Sequence, residues 1–289
     1  MFIYGRIVLL CVITLTLSAC ATQQTGSRSS VVSYLYPDSA APQVTTSVPK
    51  LTLPLRMGIA FVPANHNSRS SNAMPWVEVQ ANTLTENHKM AILHNIATHF
   101  SQQSFVEHIE IIPSAYLSSG GSFANLDQLK AMFGIDVIAL VSYDQVQFTD
   151  DSKLSLSYLT LVGAYLVNGQ KNDSNTLMDT AVYAIESRKL LFRAPGTSQI
   201  KGSSTMVNLQ EKLRHDSLQG FVEASDEMIV NLESELNSFT VRLKQRPDDI
   251  QIVRSAGYSG GAFNLLLPLC LIGLAIARKY NSQNQHKQT

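Results

Sequence analysis

A largely apolar, uncharged segment at each end of the chain constrains its fold most strongly. One segment covers residues 7–17 and follows Arg6, and the other covers residues 262–277 and precedes Arg278 and Lys279. Apolar segments beside basic residues are typical of membrane insertion. The part that folds in water therefore lies between them, in a length that suits one domain with a sizeable core.

The N-terminal segment has the parts of a secretory signal. Arg6 precedes the apolar run, which is too short to span a bilayer, and two small residues, the second of them Ala19, separate it from Cys20. Leu17–Cys20 resembles the lipobox of bacterial lipoproteins. The resemblance implies that the lipoprotein-processing machinery removes residues 1–19 by cleavage between Ala19 and Cys20. It also implies a diacylglycerol on the Cys20 sulfur and a fatty acid such as palmitate on its amine.

The residues after Cys20 indicate where the protein goes and how it is attached. Several acyl chains together anchor a protein stably. Ala21 stands where an aspartate would mark retention in the inner membrane, so the resemblance implies the outer membrane or the cell surface of a Gram-negative bacterium. Residues 20–54 are rich in Ser, Thr, Pro, Gln and Ala, which predicts a flexible lipidated tether. Within it, Val31–Tyr36 is apolar enough to dock on a domain.

The C-terminal segment makes a poor permanent anchor. Residues 262–277 number sixteen, or about 24 Å as a helix, which is short of the roughly 30 Å hydrocarbon core. Pro268 and Gly273 weaken the helix further. Arg278 and Lys279 orient the segment with its tail in the cytoplasm. A short, weak helix suits an intramembrane protease, which must unwind a helix to reach the peptide bond; a plain membrane anchor is the alternative.

Residues 255–279 resemble the GlyGly-CTERM sorting signal, which rhombosortase, a rhomboid-family serine protease, cleaves. Together with the lipobox and with Ser29–Pro37, this signal makes the chain similar to the rhombotarget lipoprotein family, whose biochemical function is not established. The resemblance implies C-terminal processing at Gly260 and Gly261, after transient insertion into the inner membrane. The polar tail at residues 280–289 departs from the family pattern.

Residues 55–250 are predicted to form one globular domain. The order is β-α-β-α-β, followed by two further strands and a helix, which indicates an α/β fold, or α+β, with a mixed sheet and helices packed on it. The predicted strands are residues 56–63, 106–112, 135–148, 154–167 and 180–192, and turns are predicted at residues 150–153 and 172–175. The predicted helices are residues 84–104, 123–133 (with Ser122 as N-cap and Gly134 as stop) and 218–243.

In outline this order is similar to the small α/β domains of other envelope lipoproteins, namely the curli-secretion lipoprotein and the penicillin-binding-protein activator. The similarity covers the order of elements and no specific motif. It implies an alternative function, in which an accessory lipoprotein binds an envelope protein partner and activates a periplasmic enzyme or a secretion complex.

Residue patterns typical of catalysis or of metal and cofactor binding are weak. His88, His94 and His99 share a predicted helix, but separations of six and five residues place neighbours on different faces. We therefore expect exposed histidines and no metal site. The loop at residues 120–122 lacks the lysine and the glycine spacing of a phosphate-binding loop. The adjacent acids at residues 150–151 and at residues 248–249 are typical of solvated turns.

Gly257–Gly261 formally matches the nucleophile elbow of serine hydrolases, but only 28 residues follow it and His286 is the sole histidine among them. Ser259 is therefore not expected to be a nucleophile, and we expect no catalytic residue and no cofactor. The net charge is zero, with 22 basic and 22 acidic residues, which argues against nucleic-acid binding. Without residues 1–20 and 261–289, the chain keeps 18 basic and 22 acidic residues.

Overall fold

The computed structural model describes residues 23–37, 48–64, 84–152, 165–245 and 250–254. The strands are β1 (Gln23–Arg28), β2 (Lys50–Leu53), β3 (Leu55–Phe61), β4 (Val106–Ile111), β5 (Val137–Asp151), β6 (Gln170–Ala184), β7 (Lys189–Ser204) and β8 (Gln251–Arg254). The helices are α1 (Val31–Leu35), α2 (Glu86–Phe100), α3 (Ser122–Phe133) and α4 (Leu209–Gln245). One compact unit extends to Val253.

Six strands form a mixed sheet, which confirms the predicted α/β class. The order is β4-β3-β5-β6-β7; β3 is parallel to β4 and to β5, while β5, β6 and β7 are antiparallel neighbours. The long strand β5 has two partners along one edge. Its first half pairs with β3 over residues 137–141, and its second half pairs with β1 over residues 144–149.

Helices pack on both faces of the sheet, because side chains alternate between the faces along each strand. Helices α2 and α4 share a core with Phe61, Val141 and Tyr143. Helices α1 and α3 share a second core with Ile138 and Leu140 on the opposite face. Strand β5 therefore contributes to both cores and lies at the centre of the fold.

Helix α4 lies directly on the backbone of β7, and glycines permit the close approach. A Cβ atom at Gly196 would overlap the carbonyl oxygen of Ala224 and would lie 2.7 Å from the Met228 Cβ. On the helix side, a Cβ atom at Gly220 would lie 2.6 Å from the Thr176 Oγ1. Any larger residue at these two positions would push the helix off the sheet.

The predicted flexible tether is wrong for the described residues of that segment. Residues 23–28 form a strand of the main sheet, and residues 50–53 pair with β8. Composition predicted a tether because these residues are mostly polar, whereas main-chain hydrogen bonds to β5 determine their structure. The expectation that Val31–Tyr36 docks on the domain is confirmed, since α1 contributes Tyr34 and Leu35 to the second core.

The hairpin strands differ most from the prediction. A turn was expected at residues 172–175, but these residues lie inside β6, and β5 continues through Asp151. The predicted single strand at residues 180–192 is two strands, with a turn at Arg188, whose φ of 57° is left-handed. Of the strand predicted at residues 154–167, residues 154–164 lie outside the described residues.

The helix boundaries follow the prediction more closely. Helix α4 is longer than expected at both ends, and α2 is shorter at both ends. Gly134 stops α3 in the left-handed conformation with a φ of 65°, as predicted. Ser122 is the first residue of α3 and not its N-cap, because Gly121 occupies that position.

We predict that Gly196→Ala destabilises the domain by about 2 kcal/mol, because the added methyl group has no space against α4. Gly26→Ala is the matched control, since a Cβ atom there meets its nearest neighbour, the Gln145 carbonyl oxygen, at an ordinary 3.5 Å. Urea unfolding of the detergent-solubilised protein, followed by circular dichroism, measures both. Equal midpoints for the two variants would show that α4 does not lie on the β7 backbone.

Candidate functional site

The predicted processing residues lie just beyond the described residues. Cys20, Gly260, Gly261, Arg278 and Lys279 are all outside them, as are the predicted signal peptide, the predicted membrane segment, the polar tail and the acids at residues 248–249. The structure does describe the parts of the domain that lie next to each predicted signal. We call residues 23–37 the N-terminal attachment region, and the β2–β8 pair the C-terminal attachment region.

The N-terminal attachment region begins as part of the sheet. All six residues of β1 pair with β5, from Gln23 opposite Thr149 to Arg28 opposite Asp144. Beyond β1, the Ser29 amide donates to the Tyr143 carbonyl oxygen at 2.7 Å, and the Tyr143 amide donates to the Ser29 Oγ at 3.1 Å. Each such bond contributes roughly 1 kcal/mol net, so the strand is held by several together.

Helix α1 is fixed to α3 through one buried hydrogen-bond network. Ser30 caps α1, and its Oγ accepts from the Ser33 amide at 3.3 Å. The Tyr34 hydroxyl donates to the Asn125 Oδ1 at 2.7 Å, and the Ser118 amide donates to the same oxygen at 3.0 Å. Burial raises the pKa of the Tyr34 hydroxyl, which therefore remains a neutral donor at physiological pH.

Aromatic contacts hold the end of the N-terminal attachment region. The rings of Tyr36 and Phe123 meet edge to face with centroids 5.6 Å apart, and the Arg188 guanidinium lies 5.5 Å from the centroid of the Phe123 ring. A Cβ atom on Gly120 would lie 3.2 Å from the Pro37 Cβ. The glycine loop at residues 120–122 therefore packs against this region.

The C-terminal attachment region is a two-stranded sheet. The Gln251 amide donates to the Pro49 carbonyl oxygen at 2.8 Å, and Leu51 of β2 is buried in the core that contains α2 and α4. Strand β2 ends at Leu53, next to the start of β3 at Leu55. The pair of β2 and β8 therefore lies near the end of the sheet at which β3 begins.

The start of the N-terminal attachment region, at Gln23, and the C-terminal attachment region lie at opposite ends of the sheet. Gln23 pairs with Thr149, whereas Met57, at the start of β3, pairs with Val137. The two positions on β5 are twelve residues apart, which is about 40 Å at roughly 3.3 Å per residue.

Polar side chains fill the interface between α4 and the half of the sheet that carries β1. The Gln145 side-chain amide donates to the Thr176 Oγ1 at 2.7 Å and to the Ser217 carbonyl oxygen at 3.0 Å. The Gln147 side-chain amide donates to the Ser174 Oγ and to the Leu213 carbonyl oxygen, both at 2.9 Å. Because these groups are buried and paired, they fix the position of α4 on the sheet.

Asp216 is a fully buried carboxylate on the same helix. Its Oδ1 lies 2.8 Å from the Lys212 Nζ, one helical turn away, and a Cβ atom on Gly202 would lie 3.1 Å from its Oδ2. The lysine compensates the buried charge, and the loss of either partner would leave an unpaired ion. Lys201 and Arg214 are exposed and lie on different elements.

The histidines of α2 are exposed, as expected, and lie apart. The His88 Nδ1 lies 2.6 Å from the Thr85 Oγ1 at the start of the helix, while the His99 Nε2 lies 2.7 Å from the Glu233 Oε1 on α4. Among the described residues, no three His, Cys, Asp or Glu side chains are grouped so that they could hold a metal ion.

Comparison with known proteins gives no relative: no family model, no curated protein and no solved structure matches the chain. Within the described ranges, no helix is long and apolar enough to span a membrane. The geometry of the two attachment regions is therefore what the structure adds to the sequence signals.

We predict that Tyr34→Phe destabilises the domain by about 1 kcal/mol at pH 7, because one buried hydrogen bond is lost. Above about pH 10, the ordinary pKa of tyrosine, the unfolded state loses this proton before the folded state does, so the stability of the parent protein falls. The difference between parent and variant is therefore expected to shrink between pH 9 and pH 11.

Urea unfolding at pH 7 and at steps between pH 9 and pH 11 measures the difference in stability between parent and variant. Tyr116→Phe is the control, since Tyr116 is 46% exposed. The control is expected to change stability by less than about 0.5 kcal/mol. A Tyr34→Phe protein that is as stable as the parent at pH 7 would contradict the docking of α1 through this hydroxyl.

Proposed function

We propose that this protein is a non-enzymatic, lipid-anchored envelope protein and a substrate of a rhomboid-type intramembrane protease, which removes its C-terminal segment. Lipid on Cys20 would hold the protein in the membrane, and Gly260 and Gly261 would mark the processing site. Arg278 and Lys279 would orient the membrane segment before cleavage. The mature protein would then reside at the outer membrane or on the cell surface.

The observation that carries the proposal is the placement of the two attachment regions at opposite ends of the sheet. Cys20 is three residues before Gln23, so it lies within about 11 Å of it. Gly261 is seven residues after Arg254, so it lies within about 25 Å of it. The separation of the two regions along β5 is about 40 Å.

These lengths restrict a chain that is attached at both ends. A domain standing upright on its N-terminal attachment region would need about 40 Å of chain to return to the same membrane, and only about 25 Å are present before the apolar segment. Before cleavage, the domain must therefore tilt or lie along the membrane.

Removal of the C-terminal segment lifts this restriction and also frees the protein to move. A membrane helix keeps a protein in its bilayer effectively irreversibly, whereas a lipid anchor does not. A lipoprotein that retained the segment would stay in the inner membrane, whatever its lipid signal. Cleavage between the domain and the apolar segment would thus precede transport to the outer membrane.

The variant Gly260→Leu/Gly261→Leu tests the proposal, with Gly257→Leu as the matched control outside the glycine pair. We expect the double variant to keep the peptides of Pro268–Thr289 and to fractionate with the inner membrane. The parent and the control should lack those peptides and fractionate with the outer membrane. Intact-mass and peptide analysis of the native protein give the readout.

Two results would contradict the proposal. Full recovery of the tail peptides from the parent protein would make the segment a permanent anchor. Equal mass, membrane fraction and surface exposure for the double variant and the parent would show that the glycine pair is not the processing signal.

A further inference from the structure

The end of the sheet at which β1 begins presents four exposed apolar side chains. Tyr165 and Leu166 lie in the connection between β5 and β6, and Met206 and Val207 lie between β7 and α4. Their exposed fractions are 62%, 75%, 57% and 50%, respectively. One exposed apolar residue is ordinary on a protein surface, but two pairs on connections that leave the same end of the sheet place four there, and we call these four residues the patch.

Hydrogen bonds at the strand ends hold these residues at that end of the sheet. Gln170 is paired with Asp151 on one side and with Ser204 on the other, so both connections start from the same edge. The Ser152 amide donates to the Gly169 carbonyl oxygen at 2.7 Å, which closes the base of the first connection.

The second connection is a short turn with a buried cap. Thr205 is 7% exposed, and its Oγ1 accepts from the Asn208 amide at 3.3 Å. Because Thr205 points inward and Asn208 is tied back to it, Met206 and Val207 are held at the outside of the turn. Their exposure therefore follows from the fold of the turn.

Strand β1 places the lipid attachment beside this patch. Gln23 pairs with Thr149, two residues before the end of β5, and Cys20 lies within about 11 Å of Gln23. Acyl chains on Cys20 would therefore enter the membrane at the same end of the domain. The position of the anchor thus argues for one occupant of the patch, the lipid surface itself.

We propose that Tyr165, Leu166, Met206 and Val207 insert into the interfacial layer of the membrane that holds the lipid on Cys20. The inference rests on the proposed lipidation of that cysteine. The free energy of aliphatic side chains falls when they leave water for the boundary of the acyl chains. A tyrosine suits the interface because its ring is apolar and its hydroxyl is polar. The domain would then stand on this end, with the C-terminal attachment region about 40 Å away.

Charge does not select a particular lipid headgroup at this end. Exposed residues of both signs lie nearby, namely Lys171, Arg214, Asp150 and Glu211. We therefore expect insertion to depend on the apolar side chains, with little difference between neutral and anionic vesicles.

Fluorescence quenching in vesicles tests the orientation. The native protein, carrying Cys270→Ser so that no second thiol remains if the C-terminal segment is retained, is reconstituted into phosphatidylethanolamine–phosphatidylglycerol vesicles that contain nitroxide-labelled lipid. A fluorophore is attached through Met206→Cys, with Leu190→Cys as the matched control. Leu190 lies on β7 near its other end, sixteen residues away, and is 48% exposed. Mass spectrometry records the acyl groups on Cys20, and circular dichroism records folding.

We expect the label at position 206 to be quenched at least threefold more than the label at position 190, and a second label through Val207→Cys to behave like the first. Equal quenching at positions 206 and 190 in acylated protein that floats with the vesicles would overturn the inserted patch and leave the lipid anchor intact. Protein without acyl groups on Cys20 would overturn both proposals.

Discussion

The pairing of β1 with β5 is the interaction on which the rest of the structure depends. It joins residues 23–28 to a strand more than a hundred residues later in the chain, and this strand contributes to both hydrophobic cores. Because β5 pairs with β3 in its first half and with β1 in its second, Gln23 lies at the end of the sheet opposite to the one at which β3 begins. The chain between Cys20 and the domain is thereby only a few residues long.

A short connection has mechanical consequences that a long tether would not have. A flexible segment of thirty residues would let the domain adopt any orientation above a membrane. With the proposed lipid on Cys20, a connection that reaches no more than about 11 Å would keep one end of the domain at the membrane surface. The exposed apolar turn at Met206 and Val207 lies at that same end, so the orientation that the proposed anchor would impose agrees with the exposed apolar side chains there.

The sequence predicted the parts of the fold that depend on local patterns. Apolar runs gave β3 and β4, and helical periodicity with Gly134 as a stop gave α3. Strand β1 could not be predicted, because a polar segment that pairs through main-chain hydrogen bonds has no compositional signal of its own.

Buried polar residues caused the other errors. Asn172 and Ser174 have the composition of a turn, but they face α4, where Asn172 donates to the Ser204 Oγ at 3.0 Å and Ser174 accepts from Gln147. Only the structure shows that a helix with close glycine contacts covers them. The predicted processing residues come from sequence motifs alone: motifs predicted Cys20, Gly260 and Gly261. The structure contributes the geometry of the domain between them.

Hydrogen–deuterium exchange of the native protein tests most directly whether residues 23–28 form a strand of the main sheet. We expect the hydrogen-bonded amides of β1 to exchange as slowly as those of the second half of β5, because the two strands share one hydrogen-bond ladder. Exchange of residues 23–37 at the rate of an unstructured peptide, with β5 still protected, would contradict it.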